Sequence, residues 1–264
     1  MSAVASVIVP LLRQVDAWLE QCVNSALHQS APTEVIVVRS EKTPASNLEI
    51  LSRLQSQHRN LRVVLEKTPD SFPNAINTGF ASARTDRVGL LLSDDWLERT
   101  AVAACLEKSA DIVSTGNSVY FPDGRLNKAA CKVPSDAVLR SLQTLEEKAR
   151  YLQHFFLFRR DTALRVGLDE SIGNYPGIDD FDFIWTLLER NASVEVVPAR
   201  LYHYRDHDGE RLTLVDRELR LKNLIKILRK HGIGESQMRR IVDCHLPWFG
   251  RPIYKVMYPH WPKM

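Results

Sequence analysis

Between residues 88 and 95 the chain reads Val88-Gly89-Leu90-Leu91-Leu92-Ser93-Asp94-Asp95, an apolar run that ends on two adjacent carboxylates. The run lacks the polar alternation of a strand with one wet face, so it reads as a strand buried on both sides. Toward the N-terminus three similar runs precede it, at 4–9 (stopped by Pro10), 34–38 and 61–65. Between the first two, Val15, Leu19, Cys22, Val23, Ala26 and Leu27 recur at three- and four-residue steps, which predicts an amphipathic helix. Further helices are expected at about 46–57 and at 74–83, the latter with Pro73 in its first turn. The order β-α-β-α-β-α-β calls for right-handed crossovers and a mostly parallel sheet covered on both faces, an α/β fold. In such sheets ligands sit beyond the carboxyl ends of the strands. Those ends are Pro10, Arg39-Ser40 and Asp94-Asp95.

Toward the C-terminus a strand is expected at 111–115, a hairpin turn at 119–124, helices at 136–152 and 180–190, and a strand at 194–197. No repeat or long linker interrupts the 264 residues, a length suited to one large domain with additions. A content of 44% apolar and 25% charged residues is ordinary for a globular chain, and 11 Gly with 13 Pro exclude a collagen-like one. The longest unbroken apolar run, 101–106, is far short of the roughly 18 residues that span a bilayer, so no transmembrane helix is expected. Nor is a signal peptide, because the first strand follows the N-terminus with no basic segment before it. Cys22, Cys105, Cys131 and Cys244 lack metal-ligand spacing and read as buried thiols of a reducing compartment. The net charge of +3 is uneven: residues 200–264 hold 14 Lys/Arg against 7 Asp/Glu, and the first 199 hold 21 against 25. A basic tail on a slightly acidic body points to an anionic surface or partner.

Four stretches carry candidate chemistry. Asp94-Asp95 suits a hard divalent ion such as Mg²⁺ or Mn²⁺ bridging to a diphosphate, or a solvated loop before a helix start. Asp179-Asp180, with Asp182 behind, opens an apolar helix after the turn-rich 173–177; one acid serves as a cap, and a general base would suit such a site. Tyr202-His203-Tyr204-Arg205-Asp206-His207 reads as an amphipathic edge strand, or as donors for phosphate and metal. Thr213 and Asp216 offer a capping-box-like start to a basic helix with Leu221, Leu224, Ile225 and Leu228 on one face, stopped by Gly232. That helix either packs on the body or attaches to anionic lipid, with the aromatic end 247–261 beside it.

In this order the segments resemble family 2 of the nucleotide-sugar glycosyltransferases, which have the GT-A fold. The resemblance runs through Ser6–Pro10, 23–29, 34–38, 75–83 and 91–97, then 158–160, 166–170, 179–182 and 204–207, or about residues 4–210. It implies a GT-A domain over 1–212, with a nucleotide-binding half (1–100) and an acceptor-binding half (101–212), followed by a basic extension, 213–264. It also implies roles. Asp94 matches the acid that holds a divalent cation on the donor diphosphate, Asp95 is its neighbour, and His207 matches a C-terminal His near the metal. Asp180 matches the catalytic base, with Asp179 in reserve. Pro10, Asn77 and Gly79 match positions that shape the nucleotide pocket, and Arg205 stands beside the leaving diphosphate. The implied reaction is an inverting displacement onto a glycan or lipid-linked acceptor in surface-polysaccharide synthesis. It is placed at the cytoplasmic face of a membrane, with no nucleic acid among the partners.

The chain also departs from the family pattern. Arg39-Ser40-Glu41 stands where relatives usually place Asp-Asp-Gly-Ser. An Arg has only donors and cannot take the proton of a base ring nitrogen, so the nucleotide contact at Arg39 differs from that for uracil. Leu92 replaces the first acid of the usual Asp-x-Asp, which removes a metal ligand, and Leu11-Leu12-Arg13 replaces Thr-Tyr-Asn. These changes motivate a second reading, a degenerate member that binds a glycan or partner without catalysis. A nucleotidyltransferase ranks last, because no Gly-rich basic loop follows the first strand.

Overall fold

The computed structural model describes residues 2–68, 71–170, 178–209, 217–258 and 260. In chain order its elements begin with strand β1 (Ala5–Leu11), helix α1 (Asp16–Leu27), β2 (Thr33–Arg39), α2 (Ala45–Gln57), β3 (Leu61–Leu65) and α3 (Phe72–Ser82). Next come β4 (Arg87–Leu90), β5 (Trp96–Leu97), α4 (Ala101–Leu106), β6 (Ile112–Tyr120), α5 (Asp136–Ser141) and α6 (Leu145–Tyr151). The remainder is β7 (Phe156–Arg159), α7 (Arg160–Val166), α8 (Asp179–Glu189), β8 (Val194–Arg205), α9 (Arg217–Lys230), α10 (Glu235–His245) and α11 (Ile253–Met257). The strands form one sheet in the order β3-β2-β1-β4-β7-β6-β8-β5. The first four are parallel, β7 is antiparallel to both neighbours, β6 and β8 are parallel, and β5 closes the edge antiparallel to β8.

The unbroken apolar runs follow from burial on both faces of this sheet. Along β1, Ile8 enters a core shared with Ile76 and Phe80 of α3, Ile184 and Leu187 of α8, and Leu224 and Ile227 of α9. Its neighbours Val7 and Val9 enter the opposite core, with Leu19 and Val23 of α1, Leu51 of α2 and Val102 of α4. Period-two alternation therefore sorts β1 residues between two apolar layers instead of between core and water.

Several expectations change in detail. Pro10 lies inside β1 instead of ending it. The Ile8 carbonyl accepts from Leu91 N–H, and Pro10 turns its missing N–H to the same side, past the last β1–β4 pair, so no ladder bond is lost. The single helix expected at 136–152 is two, because Thr144 accepts from Glu147 N–H while the Glu147 carboxylate accepts from Thr144 N–H, and this capping box starts α6 afresh. The segment from Tyr202 is not an edge strand, since β5 covers that side of β8. Of the four thiols expected to be buried, Cys22 and Cys105 are, Cys131 is partly so, and Cys244 is exposed on α10. The turn 173–177, Thr213, Asp216 and Trp261 lie outside the described residues.

The apolar face of α9 is spent on the body, with Leu224, Ile227 and Leu228 buried and Lys222, Lys226 and Arg229 exposed. Charge pairing seals the junction: Asp182 of α8 accepts from Lys230 Nζ at 2.7 Å and from His231 Nε2 at 2.8 Å. His231 Nδ1 reaches Glu189 at 2.7 Å, and its ring stacks on Trp185. Among the described residues no helix is long and apolar enough to cross a membrane.

Candidate active site

The first acidic pair lies just past β4, where Leu91 still bonds to β1 and Asp95 N–H turns back to the Leu92 carbonyl. That turn sends the two carboxylates in opposite directions. Asp95 is 1% exposed, and its oxygens accept from the Tyr202 hydroxyl at 2.6 Å and from Arg205 N–H at 2.7 Å. Both donors belong to β8, so Asp95 ties β8 to the end of β4. Asp94 keeps its side chain 17% exposed, with Oδ2 at 3.3 Å from His207 Nε2.

Arg205 builds the floor of this site. Its guanidinium lies between the rings of Trp18 and Trp96, at 4.7 and 4.8 Å. Nε donates to the Asp94 carbonyl at 3.0 Å, and Nη2 donates to Gln21 Oε1 at 2.6 Å. Burial pulls its pKa down, yet a guanidinium stays charged at neutral pH. His207 packs on Trp18 and accepts the Gly209 N–H on Nδ1 at 3.0 Å. The neutral ring therefore carries its proton on Nε2 and donates it to Asp94.

Among the described residues no three His, Cys, Asp or Glu side chains stand together as a metal cage. Asp94 nevertheless fits a Mg²⁺-like ion, which typically takes one or two carboxylates and completes its shell with substrate phosphates and water.

The second acidic group opens α8. Asp179 is buried at 7% exposure, whereas the Asp180 side chain is 39% exposed. Asp180 Oδ1 accepts from Phe181 N–H, and Oδ2 lies 2.9 Å from His154 Nε2. Burial pushes the Asp180 pKa up, but the His154 hydrogen bond and charge, joined by the backbone N–H, outweigh it and hold the carboxyl below its ordinary value. The His154 ring lies against Phe156 and Tyr202, at centroid distances of 4.8 and 5.5 Å. Since the Tyr202 hydroxyl is bonded to Asp95, three contacts in series link the second acidic group to the first. The region that combines them is the carboxyl end of β4 and the facing part of β8.

A family model described as glycosyl transferase family 2 matches residues 6–172, well over half of the chain. The chain belongs to this family. The O-antigen biosynthesis protein RfbC of Myxococcus xanthus is 26% identical over 209 residues, covering 76% of this chain but only 16% of that protein. Two solved structures share the fold. S. aureus TarS 1-349 in complex with UDP-GlcNAc has a TM-score of 0.64 at 19% identity, over 92% of this chain and 72% of that one. The mannosyltransferase PcManGT of Pyrobaculum calidifontis, with GDP-Man and Mn²⁺, has a TM-score of 0.65 at 18% identity, over 92% and 69%. The curled, mostly parallel sheet with flanking helices is thus the GT-A architecture.

The other expected positions of this family 2 site fall in two places. Pro10 and Arg39 stand at the ends of the paired strands β1 and β2, and Arg39 Nη1 donates to the Ser40 carbonyl at 3.2 Å. Asn77 and Gly79 lie on α3. A Cβ on Gly79 would collide with the Ile8 side chain. The Asn77 side chain bonds both backbone polar groups of Leu168 and one Glu170 oxygen, fastening the segment after α7. Sequence reasoning missed His154, Trp18 and Gln21. No spacing marks them; Trp18 and Gln21 sit four residues and one residue before Cys22, off the apolar stripe of α1.

Proposed function

We propose that this chain is an inverting glycosyltransferase that moves a sugar from a nucleotide-sugar donor to a hydroxyl of a glycan or lipid-linked acceptor in surface-polysaccharide synthesis. The observation that carries the reading is the contact series Asp180–His154–Tyr202–Asp95, which runs from the partly exposed Asp180 carboxylate to the buried neighbour of the partly exposed Asp94. The name of the O-antigen relative and the donors held by the two structural neighbours support the substrate class.

In the proposed step Asp180 takes the acceptor hydroxyl proton as its oxygen bonds the anomeric carbon. The bond from that carbon to the diphosphate breaks with its electron pair on the leaving oxygen, and the configuration inverts. Asp180 suits a base because it is ionised at neutral pH and open to the cleft. Arg205 and the Nε2–H of His207 supply positive charge and a donor near Asp94, where the diphosphate would lie. A divalent cation, Mn²⁺ or Mg²⁺, held by Asp94 with His207 beside it, would add Lewis-acid stabilisation of the leaving group. Residues 213–264 are proposed as an extension that meets an anionic membrane surface through charge, because the apolar face of α9 is buried.

A binding-only reading draws on Leu92 and on the inward turn of Asp95, which leave Asp94 as the open carboxylate of its motif. One experiment separates the two. Calorimetry with UDP and GDP, with and without Mn²⁺, is paired with nucleoside diphosphate release from UDP- and GDP-sugars. Transfer predicts turnover lost in Asp180→Asn with nucleotide affinity retained, and affinity lost in Asp94→Ala. Full turnover in Asp180→Asn would remove the mechanism.

A further inference from the structure

We infer that His154 is a positioning residue for transfer: it donates Nε2–H to Asp180 Oδ2 from the protein side and so fixes the orientation in which that carboxylate meets the acceptor hydroxyl, a role that rests on the reading of Asp180 as the base. The geometry is one-sided. The His154 side chain is 19% exposed and that of Asp180 is 39% exposed, so the imidazole stands behind the carboxylate and leaves its outer side open. An ionised carboxylate only accepts, so the 2.9 Å contact requires the proton on Nε2. Nδ1 is buried and has no hydrogen-bond partner among the described residues. The ring is therefore oriented by Asp180 at one nitrogen and by the flanking rings of Phe156 and Tyr202. With Phe181 N–H on Oδ1 and His154 on Oδ2, both carboxylate oxygens are anchored, and each keeps a lone pair for substrate.

A purely structural acid in a helix's first turn would not need this partner, since the backbone dipole already favours it there. Nor do other side chains around α8 substitute for His154. Asp179 and Asp182 on the same helix repel a second charge. Arg150 of α6 is bonded to Glu146, while Lys230 at the end of α9 and His231 just after it are bonded to Asp182. His154 is the side chain that both touches Asp180 and lowers its pKa.

The test uses the full chain labelled with ¹³Cγ-aspartate, with the Asp180 resonance assigned by its loss in Asp180→Asn. Replacing His154 by Phe keeps an aromatic ring and removes the donor, whereas His154→Gln keeps an N–H donor. His154→Phe is expected to move the Asp180 titration midpoint up, and His154→Gln to leave it near the wild-type value. In nucleoside diphosphate release from UDP-GlcNAc and GDP-mannose, His154→Phe is expected to lower kcat roughly ten- to a hundredfold, part of the full worth of a general base. The donor KM should stay within about twofold, the acid limb of the pH profile should shift up, and His154→Gln should recover most of the rate. An unmoved midpoint in a folded His154→Phe chain overturns the role of His154. If kcat and pH profile also stay wild-type while Asp180→Asn is inactive, His154 is dismissed and the base reading survives. An active Asp180→Asn instead overturns the base reading itself.

Discussion

The two acidic doublets divide their work in the same way but in opposite order. In Asp94-Asp95 the second carboxylate turns inward and the first faces the cleft; in Asp179-Asp180 the first is buried and the second is open. In each case one acid is buried and its neighbour is left open for the proposed chemistry. What differs is how the open acid is held. Asp94 meets His207, 113 positions along the chain, at the junction of β4 and β8. Asp180 meets His154, 26 positions away, across the short path between β7 and α8. The Asp94 contact is therefore a product of long-range sheet closure, and the Asp180 contact of local packing.

The sharpest way to break this parallel is to exchange open and buried acids. Asp180→Asn keeps shape and removes the base, so kcat is expected to fall by roughly 10²- to 10⁴-fold, with the melting temperature nearly unchanged. Asp95→Ala should do the reverse. It strands the Tyr202 hydroxyl and the Arg205 N–H in a buried site, which is expected to cost about 3 kcal/mol, since bonds to a charged group contribute about 1.5–3 kcal/mol each. Asp94→Ala, at a more exposed position, should cost less than about 1 kcal/mol. Urea unfolding of the two alanine variants side by side measures the contrast; equal losses would mean that the doublet is not divided.

The pH response draws a second contrast, where the C-terminal helices pack against α8. Burial pulls the His231 pKa down, but Asp182 and Glu189 hydrogen bonds outweigh it and leave it raised. The stability this adds is complete below the unfolded value of about 6.5 and is lost as pH rises through the higher folded value. His245 is the opposite case: burial, with Arg150 and Arg220 nearby, depresses it to about 4. Its unfolded form takes up a proton first, so stability falls as pH drops from about 6.5 toward that value. Thermal melting across pH 4–9 (a window of roughly two units either side of an ordinary His) should decline on both sides. His231→Gln should flatten the alkaline side, and His245→Phe the acid side.

The sequence showed the sheet more clearly than the site. Strands β1, β2 and β4 were legible because nearly every residue in them is buried, and β3, half-buried at the sheet edge, because its short apolar run with Arg62 recurs at the same spacing. Asp94, Asp180, Arg205 and His207 stand out in the sequence only because the resemblance places them by order. The inward turn of Asp95 was not, since it depends on a hydroxyl and an N–H more than a hundred residues away. Gly79 and Asn77 illustrate another limit: the contacts they make with Ile8 and Leu168 leave no mark in their motif. His154 was invisible because a lone His before a strand has no pattern until α8 is folded against it.

The smallest expected effect tests a signal that was present in the sequence and read through. Thr144 and Glu147 have the spacing of a capping box inside the one helix expected over 136–152. The reciprocal bonds between them win because they satisfy two N–H groups that a continuous helix would otherwise have to bond internally. The restart turns α6 onto α8, the helix that presents Asp180. Thr144→Ala removes the acceptor of the Glu147 N–H and should lower stability by about 1 kcal/mol, read as a shift of the urea midpoint. Because the loss is local to the start of α6 and the His154–Asp180 contact is made elsewhere, kcat should stay within about twofold. A larger fall in kcat than in stability would show that the acceptor half is held through α6, and the view of that half as locally packed around β7 and α8 would have to be widened to include it.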